Sequence, residues 1–153
     1  MTRVVSAAGY RALAEFRFQI RRFLNLSDQA ARQAGLEPQQ YVCLLALRGL
    51  PGGKEATILT LAERLQVRHH SAGELIDRLA RRGLVRRARG KQDRRQVLIH
   101  LTARGERLLE RLARKRLAEL RTTGPAVLRA LDSVIAATRK PRERARARGK
   151  STR

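Results

Sequence analysis

Residues 57–102 read TILTLAERLQVRHHSAGELIDRLARRGLVRRARGKQDRRQVLIHLT, and a change of hydrophobic period inside this stretch decides the fold. In its first half apolar residues recur at three- and four-residue spacing: Leu61, Ala62 and Leu65, then Ala72, Leu75, Ile76 and Leu79. Thr57 suits the N-cap of a short helix ending at Leu65, and Thr60 with Glu63 offers a second capping box one turn later. Gln66-Val67-Arg68 is a short connector with one apolar plug. A second helix is predicted over 69–82, closed by Gly83 in the left-handed conformation. Two helices on a tight turn, each with one apolar stripe, form a helix-turn-helix. From Leu84 the pattern is that of strands, over 84–89 and 96–101, with a turn at Gly90-Lys91-Gln92-Asp93. A hairpin directly after the second helix is a wing.

Outward from this unit the chain is helical. Tyr10, Leu13, Phe16, Ile20, Phe23 and Leu24 predict a helix over 9–34, stopped by Gly35. Glu37-Pro38 starts another, and its run to Leu50 is apolar on most sides, the pattern of a buried helix. Pro51-Gly52-Gly53 ends it. Thr102 caps a helix over 103–122, Gly124-Pro125 breaks it, and a last helix is expected over 126–138. Residues 139–153 carry no large apolar side chain and are expected to be a disordered basic tail. The expected fold class is mainly α with a small β-hairpin wing. Its parts are an N-terminal dimerisation helix (1–36), a winged helix-turn-helix domain (37–102), C-terminal dimerisation helices (103–138) and the tail (139–153). The long outer helices carry more apolar face than so small a unit covers, which predicts a homodimer.

Composition narrows the partner. The 153 residues hold 35 Lys+Arg against 13 Asp+Glu, a net charge of +22, with 42% hydrophobic residues. Such a balance predicts a polyanion, because each cation placed near a phosphate releases counterions. Aromatic residues are 3% with no Trp, and Tyr10, Phe16, Phe18, Phe23 and Tyr41 look like core. Single-strand and RNA readers stack bases on aromatic platforms, so duplex DNA is favoured. No apolar run approaches the roughly 18 residues of a membrane span, and no apolar signal core opens the chain. A cytoplasmic protein with no membrane partner is expected. One cysteine, Cys43, excludes an internal disulfide; it sits between Val42 and Leu44 and reads as a buried thiol.

The segments Leu61-Ala62-Glu63-Arg64-Leu65, Leu75-Ile76-Asp77-Arg78-Leu79 with Gly83-Leu84-Val85, and Asp93-Arg94-Arg95 followed by Leu101-Thr102 resemble the MarR (multiple antibiotic resistance regulator) family of bacterial transcription factors. The last of them matches the family's wing pattern. The resemblance implies a dimer built on the first and last helices and a pseudo-palindromic operator, bound so as to block or assist polymerase. It also implies modulation by a small, often aromatic, effector. Gln66 departs from the glycine common in the family's turn, which implies a tighter or differently built turn. Arg68 departs from the usual Ser or Thr cap, which implies a recognition helix without a side-chain cap.

Helix-turn-helix docking places Arg68, His69, His70 and Ser71 at base edges or phosphates of the major groove. Glu74 can accept from cytosine or pair with Arg78 at i+4, and Arg78 is included among the expected contacts. Arg86, Arg87, Arg89, Lys91, Arg94 and Arg95 make the wing cationic, suited to a narrow minor groove; Arg89, Lys91, Arg94 and Arg95 are the expected contacts. By resemblance, Arg94 or Arg95 is the tip residue and Asp93 orients it. Phe16, Arg17, Ile20, Tyr41, Leu44 and Arg48 are candidates for an effector pocket between the dimer helices and the head, core packing being the plainer role of the apolar ones. His70 and Glu74 have a spacing two metal ligands can use, but no third ligand lies nearby, so no metal is expected. No phosphate loop or nucleophile–base set appears, so neither an enzyme nor a cofactor is expected. The alternative function is a nonspecific nucleoid-type or RNA-binding winged protein, which the charge and the tail also suit.

Overall fold

The computed structural model describes residues 5–90 and 95–138. They form α1 (Ala7–Gln33), α2 (Pro38–Arg48), α3 (Ile58–Leu65), α4 (His69–Arg81), β1 (Val85–Arg89), β2 (Val97–Leu101) and α5 (Ala103–Thr138). The fold is mainly helical with one antiparallel hairpin, as the change of period predicts. The basic tail (139–153) and the wing turn (91–94) lie outside the described residues.

The chain divides into two compact units, one of them Ser27–Arg116. Its core is sealed by Leu36, Cys43, Leu44, Leu61, Ile76, Leu79, Leu84 and Ile99. Burial of each Leu or Ile contributes about 1.5–3 kcal/mol, so this cluster dominates the stability of the head. Both α3 and α4 face it with the expected stripes: Leu61 and Ala62, and Ala72, Leu75, Ile76 and Leu79. By contrast α2 is buried on one side only. Tyr41, Cys43, Leu44 and Leu47 point inward, whereas Val42 and Leu45 remain 44% and 45% exposed, contrary to a helix buried all round.

Helix ends explain the turns. The Thr57 hydroxyl accepts from the Thr60 backbone N–H at 3.1 Å and caps α3 as expected. The alternative box one turn later does not form, because Thr60 already lies inside α3, where its hydroxyl meets that of Thr57 at 3.0 Å. Three helices close through one motif, in which a left-handed residue lets two N–H groups fold back on the last carbonyls. Gly35 (φ 73) serves α1 and Gly83 (φ 66) serves α4. In α3 the position falls to Gln66 (φ 54), and Val67 N–H reaches the Ala62 carbonyl at 3.0 Å. The turn is therefore built as a glycine would build it, at a cost of about 1 kcal/mol of backbone strain.

The hairpin pairs Val85 with Leu101, Arg86 with His100, Arg87 with Ile99, Ala88 with Leu98 and Arg89 with Val97. Leu84 stays outside the strand because its N–H closes α4 on the Leu79 carbonyl at 3.0 Å. On β2, the Ile99 N–H bonds the Ala56 carbonyl at 2.8 Å, which ties the segment before α3 to the hairpin. Thr102 then joins wing to helix. Its hydroxyl donates to the Gly83 carbonyl at 2.7 Å and accepts from the Gly105 N–H at 3.1 Å, capping α5. Gly105 has no room for a side chain, since a Cβ there would press into the Leu84 carbonyl oxygen.

The second unit holds the described residues up to Leu26 and from Leu117 onward. Here α5 runs unbroken through Gly124 and Pro125, where a break was expected. Part of the clash that disfavours a helical residue before proline involves its Cβ, which Gly124 lacks, although Pro125 still has no N–H to give to the Arg121 carbonyl. The Thr123 hydroxyl bonds the Glu119 carbonyl at 3.0 Å just upstream, and Ala126, Leu128, Arg129 and Ala130 resume a strong helix-forming run. Tyr10 and Phe18, expected in a core, are 64% and 57% exposed. The apolar stripe of α1 is wider than this unit's own contacts cover. Among the described residues no helix is long and apolar enough to cross a membrane.

Candidate nucleic-acid interface

Helix α4 begins at Arg68, whose backbone is extended and whose side chain makes no capping bond. The missing cap follows from residue type, since arginine has no acceptor. The N–H groups of the first turn are thus left without a side-chain acceptor, and they carry the positive end of the helix dipole. Around them stand Arg68, His69 and His70, all exposed, with Ser71 half-buried and its hydroxyl 3.4 Å from His70 Nε2. Glu74 is exposed one turn on. Five residues expected at the major groove are therefore gathered on the opening of one helix.

Arg78 is placed otherwise. Its guanidinium faces Glu37 at 3.7 Å, not Glu74, and its Nε is buried with no hydrogen-bond partner among the described residues. This arginine is turned toward the start of α2. On the hairpin, Arg89 and Arg95 are exposed. Arg87 donates to Asp77 Oδ1 at 2.7 Å, so its charge is matched within the head. Lys91, Asp93 and Arg94 lie outside the described residues.

The expected effector residues separate by environment. Phe16 and Ile20 are half-buried and Arg17 exposed on α1, while Tyr41 and Leu44 are spent in the core of the head. Arg48 lines an open groove of about 550 Å3 with Leu50, Lys54, Arg86, His100 and Glu106. Cross-strand pairing sets Arg86 directly against His100 on its wall. Cys43 is fully buried, and burial pushes its thiol up to about 12, so it carries no thiolate near neutrality.

Four residues of this region are not among the expected site residues: Glu37, Gln40, Asp77 and Arg82. Gln40 is buried, and its Oε1 accepts from the Glu37 backbone N–H at 3.1 Å and from Arg82 Nη1 at 2.8 Å. A signal for it exists in the three-residue spacing from Glu37, the spacing of a capping box, here with an acidic first member. No local signal marks Asp77, whose partner lies ten residues away across a change from helix to strand.

Residues 34–96 match the family model described as MarR family. The uncharacterized HTH-type transcriptional regulator YsmB of Bacillus subtilis (strain 168) is 35% identical over 89 residues, 58% of this chain and 59% of that protein. The chain thus matches over about three fifths of the length of this curated relative. AbsC, a MarR family transcriptional regulator from Streptomyces coelicolor, superposes with a TM-score of 0.71 at 22% identity, covering 95% of this chain and 99% of its own. A mutant MarR from E. coli, complexed with operator DNA, superposes with a TM-score of 0.55 at 22% identity, covering 64% and 68%. At such identities the superpositions speak for the fold. The family match covers α2, both helices of the helix-turn-helix and the first wing strand. This chain therefore has a winged helix-turn-helix fold, and its residues 34–96 are similar to the MarR family.

Proposed function

We propose that the chain is a MarR-like transcription regulator that binds a pseudo-palindromic duplex DNA site as a homodimer. The observation that carries this reading is the opening of α4. An uncapped helix N-terminus presents Arg68, His69, His70 and Ser71 together, beside a hairpin bearing exposed Arg89 and Arg95. Helix N-termini attract phosphate, and an arginine there can pair with guanine in the major groove. The net charge of +22 supports a polyanionic partner, and the E. coli relative is complexed with operator DNA. Exposed Tyr10, Leu13, Phe18 and Leu24 on α1, and Leu117, Leu128, Leu131 and Ile135 on α5, support a second copy as the cover for these helices. Such a partner acts on the chromosome, which fits the cytoplasm. We assign no catalytic role to the chain. A small effector is part of the reading, and the groove beside Arg48, where Lys54 and Arg86 stand with Glu55 and Glu106, is the open site on the head for it.

The test is selection of bound sites from a random duplex pool, followed by affinity for the selected site against random duplex at fixed salt. Tighter binding to the selected site, with two half-sites per dimer in sedimentation, supports the proposal. Equal binding to both sinks it and favours the nonspecific alternative. Arg68→Ala is expected to relax sequence preference more than Lys91→Ala does.

A further inference from the structure

Helix α4 is held to the head by more than its apolar face. Ala72, Leu75, Ile76 and Leu79 seat it in the core and set which face turns inward, while polar contacts, being directional, define the finer angle. Three polar ties restrict that angle. Asp77 meets Arg87 of β1 at 2.7 Å, Arg78 meets Glu37 at 3.7 Å, and Arg82 donates to Gln40 Oε1 at 2.8 Å. Successive helical residues lie roughly 100° apart around the axis. The ties at Asp77 and Arg78 therefore grip α4 from two sides, and Arg82, one turn beyond Arg78, repeats the second grip.

Gln40 is the joint of this arrangement. It is 3% exposed, and its Oε1 serves two donors, the Glu37 backbone N–H that opens α2 and the Arg82 guanidinium that follows α4. A carbonyl oxygen offers two lone pairs, and both are engaged. The start of α2 and the end of α4 are thus fastened to one buried atom. We propose that Gln40, with Glu37, is a positioning residue for DNA reading, fixing the angle at which α4 presents Arg68, His69, His70 and Ser71. The inference rests on the duplex-DNA reading above. Gln40 acts through Arg82, and Glu37 through Arg78. Base-edge hydrogen bonds need an aligned helix, whereas attraction to phosphates does not. Loss of the joint therefore lowers discrimination and spares the electrostatic part of binding.

The experiment measures affinity of the intact chain for its selected duplex and for random duplex across a salt series. It is run at a temperature where circular dichroism shows every variant folded. Gln40→Leu removes the acceptor at similar volume, and Gln40→Glu keeps an acceptor for both donors. The ratio of the two affinities is expected to fall about tenfold in Gln40→Leu, a size ordinary for a coupled buried pair. It is expected to recover in Gln40→Glu, with the salt slope unchanged in both. Arg82→Met leaves the capping box of α2 in place, so it carries the test if Gln40→Leu unfolds. It is expected to give the same fall, and the double variant no further one. An unchanged ratio in the folded variants overturns the positioning role alone. So does a slope shallower by about one phosphate contact in Arg82→Met, which would make Arg82 a DNA ligand. A wild-type chain with no preference for its selected site overturns the DNA reading, and this inference with it.

Discussion

The Arg87 guanidinium donates to Asp77 Oδ1 at 2.7 Å, fastening the first wing strand to the helix that opens with Arg68. Both side chains are about half exposed, so the pair contributes at most about 1 kcal/mol to folding. Its larger consequence is for charge. Arg87 is one of the wing arginines, yet its guanidinium already has a carboxylate. Arg87→Met is expected to lower stability slightly and leave the salt slope of DNA binding unchanged. Arg89→Met is expected to lower that slope by about 0.9. Affinities measured across a salt series check the contrast, and a shallower slope for Arg87→Met would refute it.

Gly105 packs its Cα against the Leu84 carbonyl, where a Cβ has no space. The obstacle is backbone, on the turn that follows α4, and it cannot swing aside as a side chain would. Gly105→Ala is expected to destabilise the head by about 2–3 kcal/mol, in the range of overpacked sites. Urea denaturation followed by circular dichroism measures it. Destabilisation below about 0.5 kcal/mol would mean that the helix start shifts at little cost.

Gln66 holds a left-handed backbone at φ 54, the only described non-glycine residue with positive φ. Gln66→Gly is expected to stabilise the chain by up to about 1 kcal/mol, the relief of strain being partly offset by the greater freedom of glycine when unfolded. Gln66→Val is expected to destabilise it, because a branched Cβ tolerates this region poorly. Thermal melts of the three proteins should rank Gly above Gln above Val.

Cys43 links stability to alkaline pH. Its folded-state pKa is raised from 9.0 to about 12 by burial. Below pH 9 both states hold the proton and the thiol adds no pH dependence. Above it the unfolded chain ionises first, so stability falls by about 1.4 kcal/mol per pH unit until the folded thiol also ionises. Urea midpoints at pH 8 and pH 10 should therefore diverge more for wild type than for Cys43→Ala. Equal divergence would mean that the thiol is solvated. The same burial predicts slow alkylation of the native protein by iodoacetamide near pH 8.

Local patterns carried most of the fold. The three- and four-residue spacing through Leu79, the switch to strand period after Gly83, and the caps at Thr57 and Thr102 are all nearest-neighbour effects. Each is written within a few residues of where it acts. The same holds for the missing cap at Arg68, since residue type alone decides whether an acceptor exists. Gly124-Pro125 misled because glycine before proline relieves only the Cβ part of the clash, and the hydrogen bond that Pro125 cannot make is tolerated within a long helix.

Long-range pairing was not legible in this way. Nothing near Asp77 names Arg87, and nothing near Gln40 names Arg82, which lies 42 residues away. Such contacts exist only once the apolar core has brought α2, α4 and β1 together, and they depend on side-chain direction as well as spacing. The opening residues of α4 were readable as a group because one helix turn collects them. What turns Arg78 away from Glu74 and toward Glu37 is the packing of α4 beside the start of α2, a relation between segments that no window of sequence contains.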